Sequence, residues 1–200
     1  TRSTTVTGVQ TCALPIYIGD IIEEQCGTSG GISMDIRVAG ALKHSSVNGP
    51  GVRYVLFFQG CFHACPGCQN PGTHSRDGGV RRDTRDVIAE ILSTKYLDGV
   101  TLSGGDPFVQ PEALGEIVRA CRRAGLNVWV YTGFTYEQII QGAAGDGATD
   151  ILKDIDVLID GRFVEALRDG KCRWRGSSNQ RLIDVQASLR EGRAVIMDEK

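Results

Sequence analysis

From Val52 onward, short apolar runs and helical periods alternate along the chain. Asp35-Ile36-Arg37-Val38-Ala39-Gly40 reads as the start of a strand. Residues 52–58 (VRYVLFF) form a run rich in β-branched and aromatic residues, largely apolar on both faces, the pattern of a buried parallel strand. Asp83-Thr84-Arg85-Asp86 opens a helix, with a capping side chain and then a carboxylate in the first turn. Val87, Ile88, Ile91 and Leu92 continue it as one apolar stripe. Residues 99–102 form a second short strand. Pro111 opens another helix where its missing N–H costs nothing, and Leu114, Ile117, Val118 and Cys121 form its inner stripe before Gly125 ends it. Residues 127–131 (NVWVY), a helix over 135–141 and a strand over 157–159 complete the pattern. Strand, helix and strand in repeated order predict parallel strands joined by right-handed crossovers.

Ligands of such sheets gather at the carboxyl ends of the strands. Four polar or glycine-rich segments fall there. A cysteine loop follows the strand at 52–58, and Ser103-Gly104-Gly105-Asp106-Pro107 follows the next. Tyr131-Thr132-Gly133 and Asp160-Gly161 follow the last two. Their convergence on one face is expected of a binding protein rather than a structural one.

The cysteine loop carries the strongest chemical signal. Cys61, Cys65 and Cys68 are spaced C-x3-C-x2-C, with no fourth cysteine nearby. Iron–sulfur cubanes are usually held by four thiolates, so three leave one iron open to a ligand. Zinc is the alternative, but structural zinc wants four ligands, usually in two pairs, and only His63 stands ready as a fourth. A disulfide set is disfavoured by the odd number and by the lack of a secretory signal. Gly104 and Gly105 would let backbone approach a ligand closely, and the Asp106 carboxylate could accept from a ligand ammonium. The alternative is a plain turn. Asp156, Asp160 and Asn179 have no assigned role.

Composition narrows the choices. The chain has 200 residues, a net charge of −2 and 41% hydrophobic residues, with no apolar run long enough to span a bilayer. Neither nucleic acid nor membrane is expected as a partner, and a cytoplasmic location is expected. Residues 6–16 (VTGVQTCALPI) look like a translated sequencing-library adapter, and residues 17–33 lack organised periodicity. Residues 1–33 are therefore expected to be artefact or read-through outside the fold, taking Cys12 and Cys26 with them, and residues 34–200 to form a single domain.

Taken together, the cysteine loop, the Gly-Gly-Asp-Pro run and the α/β order resemble radical S-adenosylmethionine (SAM) enzymes. Asn48-Gly49-Pro50-Gly51-Val52-Arg53 ahead of the cysteines resembles the branch that activates glycyl-radical enzymes. Asp156 to Phe163 and the run Trp174-Arg175-Gly176-Ser177-Ser178-Asn179-Gln180-Arg181 resemble the subfamily that serves anaerobic ribonucleoside-triphosphate reductase. The resemblance implies a [4Fe–4S] cluster on Cys61, Cys65 and Cys68, with SAM held by Gly104, Gly105, Asp106, Tyr131 and the backbone of Gly67. It implies an electron donor such as flavodoxin or ferredoxin, and a 5′-deoxyadenosyl radical that takes hydrogen from a glycine of the reductase large subunit. Two departures stand out: Gly67 replaces a common aromatic residue, and Asp106 replaces the commoner Glu. From Met34 the chain is short for a closed eight-stranded barrel, so an open partial (β/α) barrel of parallel strands is expected, its open side admitting the partner. Ser177 to Gln180 would line that docking region. An activase for another partner, such as pyruvate formate-lyase, and a non-catalytic iron–sulfur or zinc module are the rival readings.

Overall fold

The computed structural model describes residues 34–198. The expectation for residues 1–33 lies outside the described residues, as do Cys12 and Cys26. Seven strands form one sheet: β1 (Asp35–Ser45), β2 (Arg53–Phe58), β3 (Val80–Asp83), β4 (Gly99–Gly104), β5 (Asn127–Tyr131), β6 (Val157–Asp160) and β7 (Arg181–Asp184). Their spatial order is β3-β1-β2-β4-β5-β6-β7, with β3 and β7 at opposite edges, so the sheet is an open partial barrel. Among the described residues, four helices lie between strands, α1 (Thr84–Ser93), α2 (Pro111–Arg123), α3 (Tyr136–Ile140) and α4 (Ala148–Leu152), and α5 (Val185–Glu191) follows the last strand.

Parallel pairing is confined to the centre, where β2, β4, β5 and β6 run together. Both flanks are antiparallel, so the parallel strands predicted from the strand–helix–strand order form the centre of a mixed sheet. The reason is connection length and content. Parallel neighbours need a crossover of a dozen or more residues, usually a helix. Residues 46–52 between β1 and β2 are too few, and residues 161–180 between β6 and β7 contain only a 3-10 turn, Glu165–Leu167.

Alternation along the central strands sorts two unequal faces. Tyr54, Leu56, Phe58, Val100, Leu102, Val128, Val130 and Leu158 join the main core with the inner stripes of all five helices. Trp129, Val157, Ile159 and Leu182 point the other way and form a small cluster with Tyr131 and Trp174. Helices therefore cover one face only. Cys121 lies in the main core, and burial pushes its thiol up to about 12, so it is unreactive at neutral pH.

Arg53 lies within the sheet at 1% exposure. Its guanidinium donates to Thr101 Oγ1 at 2.7 Å, to the carbonyls of Val100 at 2.7 Å and Asn127 at 2.8 Å, and lies over the Trp129 ring. Burial draws its pKa down to about 10, which leaves it cationic at neutral pH. Thr101 Oγ1 passes the connection on by donating to Asn48 O at 2.7 Å. The Asn-Gly-Pro-Gly-Val-Arg motif is thus a loop pinned down by its own arginine. Arg53→Met should leave these acceptors buried and unpaired and cost about 2–3 kcal/mol, measured as a lower urea midpoint at unchanged m-value; a loss under about 0.5 kcal/mol would contradict this account.

At the β7 edge of the sheet Arg181 bridges Asp160, which is fully buried, and Glu137. The Arg181 hydrogen bonds hold the Glu137 carboxyl well below its ordinary range, at about 2. A depressed folded-state pKa gives stability that is present above the ordinary value of about 4.5 and lost as pH falls toward 2. Because Glu137 is 48% exposed, screening limits this to at most about 1 kcal/mol. Glu137→Gln should melt below the parent at pH 7, with the difference closing between pH 4.5 and 2.

Candidate metal centre and cofactor cavity

The cysteine loop begins where β2 ends, and two backbone bonds close its neck. Gly60 N donates to Thr73 O at 2.8 Å and Cys61 N to His74 O at 3.1 Å. Inside the loop, Cys68 N donates to Cys65 O, and Asn70 N donates to Cys68 Sγ at 3.4 Å. Backbone N–H groups aimed at a ligating sulfur stabilise thiolate charge and tune a bound cluster. Ala64 takes a positive φ of 45°, a strained conformation for a residue with a Cβ and one found at functional turns. All three thiols are partly exposed, and burial pushes that of Cys61 above its ordinary value.

The end of β4 seats directly on this loop. Gly105 N donates to Phe58 O and Asp106 N to Gly60 O, both at 2.8 Å. A Cβ on Gly104 would sit 2.5 Å from Phe58 N, and one on Gly105 would sit 2.1 Å from Gly60 O. The glycine pair is therefore required by the approach of two protein backbones, beyond any need to admit a ligand.

Asp106 is not among the residues that line the cavity. It is 1% exposed and its carboxylate is filled by protein donors. Oδ1 accepts from Phe108 N at 3.0 Å; Oδ2 accepts from Thr132 Oγ1 at 2.8 Å, Gly133 N at 2.9 Å and His63 Nε2 at 2.7 Å. The short Asp side chain holds the ends of β4 and β5 and the cysteine loop together.

Gly67 is also turned away from the cavity. Its φ is +67°, a Cβ there would meet the Glu165 carboxylate at 2.5 Å, and its carbonyl accepts from Arg168 Nη2 at 3.0 Å. The segment around Glu165–Leu167 fills the space of the missing aromatic side chain. Tyr131 does reach the cavity, but its hydroxyl donates to Trp174 O at 2.6 Å and so holds up the far wall. Trp174 itself has a φ of +60° and packs edge-on against Trp129. Asp156 lies at the opposite end of β6, bonded to Arg122 and Val128 N. Asn179 donates to Arg162 O, and Ser177 is fully buried. Of the run 177–180, Gln180 alone lines the cavity.

These segments enclose a cavity of about 500 Å³. That is within the roughly 300–1,000 Å³ of small-molecule sites. Cys61, Cys65, Cys68, Gly104, Gly105, Tyr131, Thr132, Gly133 and Gly161 all contribute, so the four strand ends meet as the sequence pattern predicts. Val47, Asn48, Phe163, Trp174 and Arg175 complete the wall from loops with no strand or helix period to mark them. Among the described residues, no three His, Cys, Asp or Glu side chains converge on a single point that could hold one ion. Three thiols on one loop at the cavity wall could each hold one iron of a cluster and leave a fourth iron open to a ligand. The donor set fits an iron–sulfur cluster.

Strand ends around three reachable thiols and a ligand-sized space define an iron–sulfur protein with room for a second ligand. Comparison with known proteins agrees: a family model described as a 4Fe-4S single cluster domain matches residues 47–183. The anaerobic ribonucleoside-triphosphate reductase-activating protein of Salmonella typhimurium is 39% identical over 143 residues, 67% of this chain and 89% of that protein. Its counterparts in Enterobacteria phage T4 and Escherichia coli K12 are 42% and 38% identical, covering 68% and 67% of this chain and 86% and 89% of their own lengths. The chain belongs to the 4Fe-4S single cluster domain family and, within it, to the anaerobic ribonucleoside-triphosphate reductase-activating proteins. The solved structure of QueE from Escherichia coli overlays with a TM-score of 0.41 at 16% identity, over 51% of this chain and 54% of that one, a likeness too loose to add to the fold described above. Among the described residues, no helix is long and apolar enough to cross a membrane.

Gly105→Ala should push the Gly60 carbonyl, and with it Cys61, out of place. We expect a stability loss of about 1–3 kcal/mol and reduced iron per chain after anaerobic reconstitution; iron retention equal to the parent would show that the backbone contact is not needed.

Proposed function

We propose that this chain activates anaerobic ribonucleoside-triphosphate reductase, using a [4Fe–4S] cluster and SAM to place a radical on a glycine of the reductase large subunit. The observation that carries this reading is the trio of thiols on the wall of a ligand-sized cavity, with the remaining described cysteines elsewhere: Cys121 in the core and Cys172 off the wall. Cys61, Cys65 and Cys68 hold the cluster. When bound, it supplies the electron that splits the SAM sulfonium into methionine and the 5′-deoxyadenosyl radical.

The chain's own residues bind, orient and shield. Gly104, Gly105 and Tyr131 form the wall beside the thiols, and Trp174 and Phe163 add aromatic surface to it. Asp106 fixes the relative placement of these parts without touching the ligand. Such positioning matters because oriented reactants can gain roughly 7–11 kcal/mol over free encounter. The partner's glycine segment enters from the face that the helices leave uncovered. Flavodoxin or ferredoxin serves as electron donor, and the reducing cytoplasm suits the free thiols.

The test mixes anaerobically reconstituted protein, SAM, a strong reductant and the reductase. A glycyl doublet in the EPR spectrum of the reductase is expected, and Cys→Ala at position 61, 65 or 68 should abolish it along with the cluster. SAM cleavage without the doublet would move the assignment to an activase for another partner such as pyruvate formate-lyase. Bound zinc with no SAM-dependent EPR change would favour a non-catalytic module.

A further inference from the structure

We propose that His63, between the first two cysteines, is a ligand-binding residue of the cavity: its Nδ1 accepts a hydrogen bond from the amino group of SAM, and Asp106 acts through it. The proposal rests on the reading that SAM occupies this cavity.

His63 lines the cavity, yet its side chain is only 6% exposed. Three contacts fix the ring. Nε2 lies 2.7 Å from Asp106 Oδ2, the ring meets Phe134 edge-on with centroids 4.7 Å apart, and a Cβ on Gly133 would lie 2.3 Å from His63 Cδ2. An ionised carboxylate can only accept, so Nε2 carries the proton in the 2.7 Å contact. The bond made by one ring nitrogen sets the role of the other, and in the tautomer with its proton on Nε2 the remaining polar atom, Nδ1, is an acceptor. That atom is buried and has no hydrogen-bond partner. Orphaned acceptors at such depth are rare in folded proteins and call for an occupant that brings a donor.

The amino group of SAM is such a donor. Asp106 is the obvious acceptor from its sequence position, but Thr132, Gly133, Phe108 and His63 already fill its carboxylate. The acceptor role is thereby relayed one residue outward, from the buried carboxylate to the ring on the cavity wall. Asp106 is then a positioning residue, holding His63 in the state and orientation that leave Nδ1 available.

The experiment uses anaerobically reconstituted holoprotein, with iron and sulfide assayed first. Equilibrium dialysis then measures dissociation constants for SAM and for 5′-methylthioadenosine, which lacks the amino-acid end. His63→Phe keeps the edge packing and loses the acceptor. It should weaken SAM about 10- to 100-fold and leave methylthioadenosine within about threefold. His63→Gln can donate to Asp106 and still offer a carbonyl, so it should return SAM to within about fivefold of the parent. The SAM-induced change in the cluster EPR spectrum should be altered in the Phe variant and parental in the Gln variant. Unchanged SAM affinity in His63→Phe at full iron content would overturn the proposal, as would equal losses for both ligands. Should the Phe variant fail to retain iron, His63→Met and His63→Gln carry the comparison, and equal SAM affinity in those two would overturn it. Failure of the parent to bind SAM at all would count against the proposed function itself, a result distinct from any of these.

Discussion

Asp106 gathers donors from Phe108, Thr132, Gly133 and His63 onto one buried carboxylate, while its own N–H reaches back to Gly60. A buried carboxylate is costly unless its lone pairs are filled, and here neighbouring chain segments fill them. The same knot brings the end of β4, the end of β5 and the cysteine loop within van der Waals contact. These bonds between protein groups fix the relative placement of the cavity's parts, and a site held in this way spends less binding energy on ordering the protein.

The two faces of the sheet divide the labour. The helix-covered face carries nearly all of the apolar core, and its composition is that of any stable α/β sheet. Its reverse mixes apolar and polar groups: Trp129 and Ile159 beside a buried guanidinium and a threonine. Arg53 would be a poor choice in an ordinary core. Its connection through Thr101 to Asn48 ties the wall of the cavity to the middle of the sheet, giving a loop rich in glycine and proline a fixed position.

What could be read beforehand follows the range of the signal. The NVWVY run of β5 and the stripe containing Cys121 are local and periodic, and both stand where the pattern puts them. β3 (VRRD) and β7 (RLID) have charged ends and four residues each, too few to show a period, so the antiparallel flanks were illegible. α4 and α5 are similarly short. The convergence of four strand ends followed from topology, but what Asp106 touches did not. Three of its four partners come from positions 63, 132 and 133, and no local motif announces such a meeting. Gly67 was visible as a departure, and its cause, Glu165, lies about a hundred positions away.

Placing every helix on one side of the sheet also has a chemical consequence for the living cell. On the proposed function the partner's glycine segment reaches the sulfurs from the side that the helices leave uncovered, and nothing about such a route would select by size against dissolved oxygen. A gap wide enough for a polypeptide loop is wide enough for a diatomic gas. Such a route would tie the working life of the centre to anoxic surroundings, with the docked partner as its stopper.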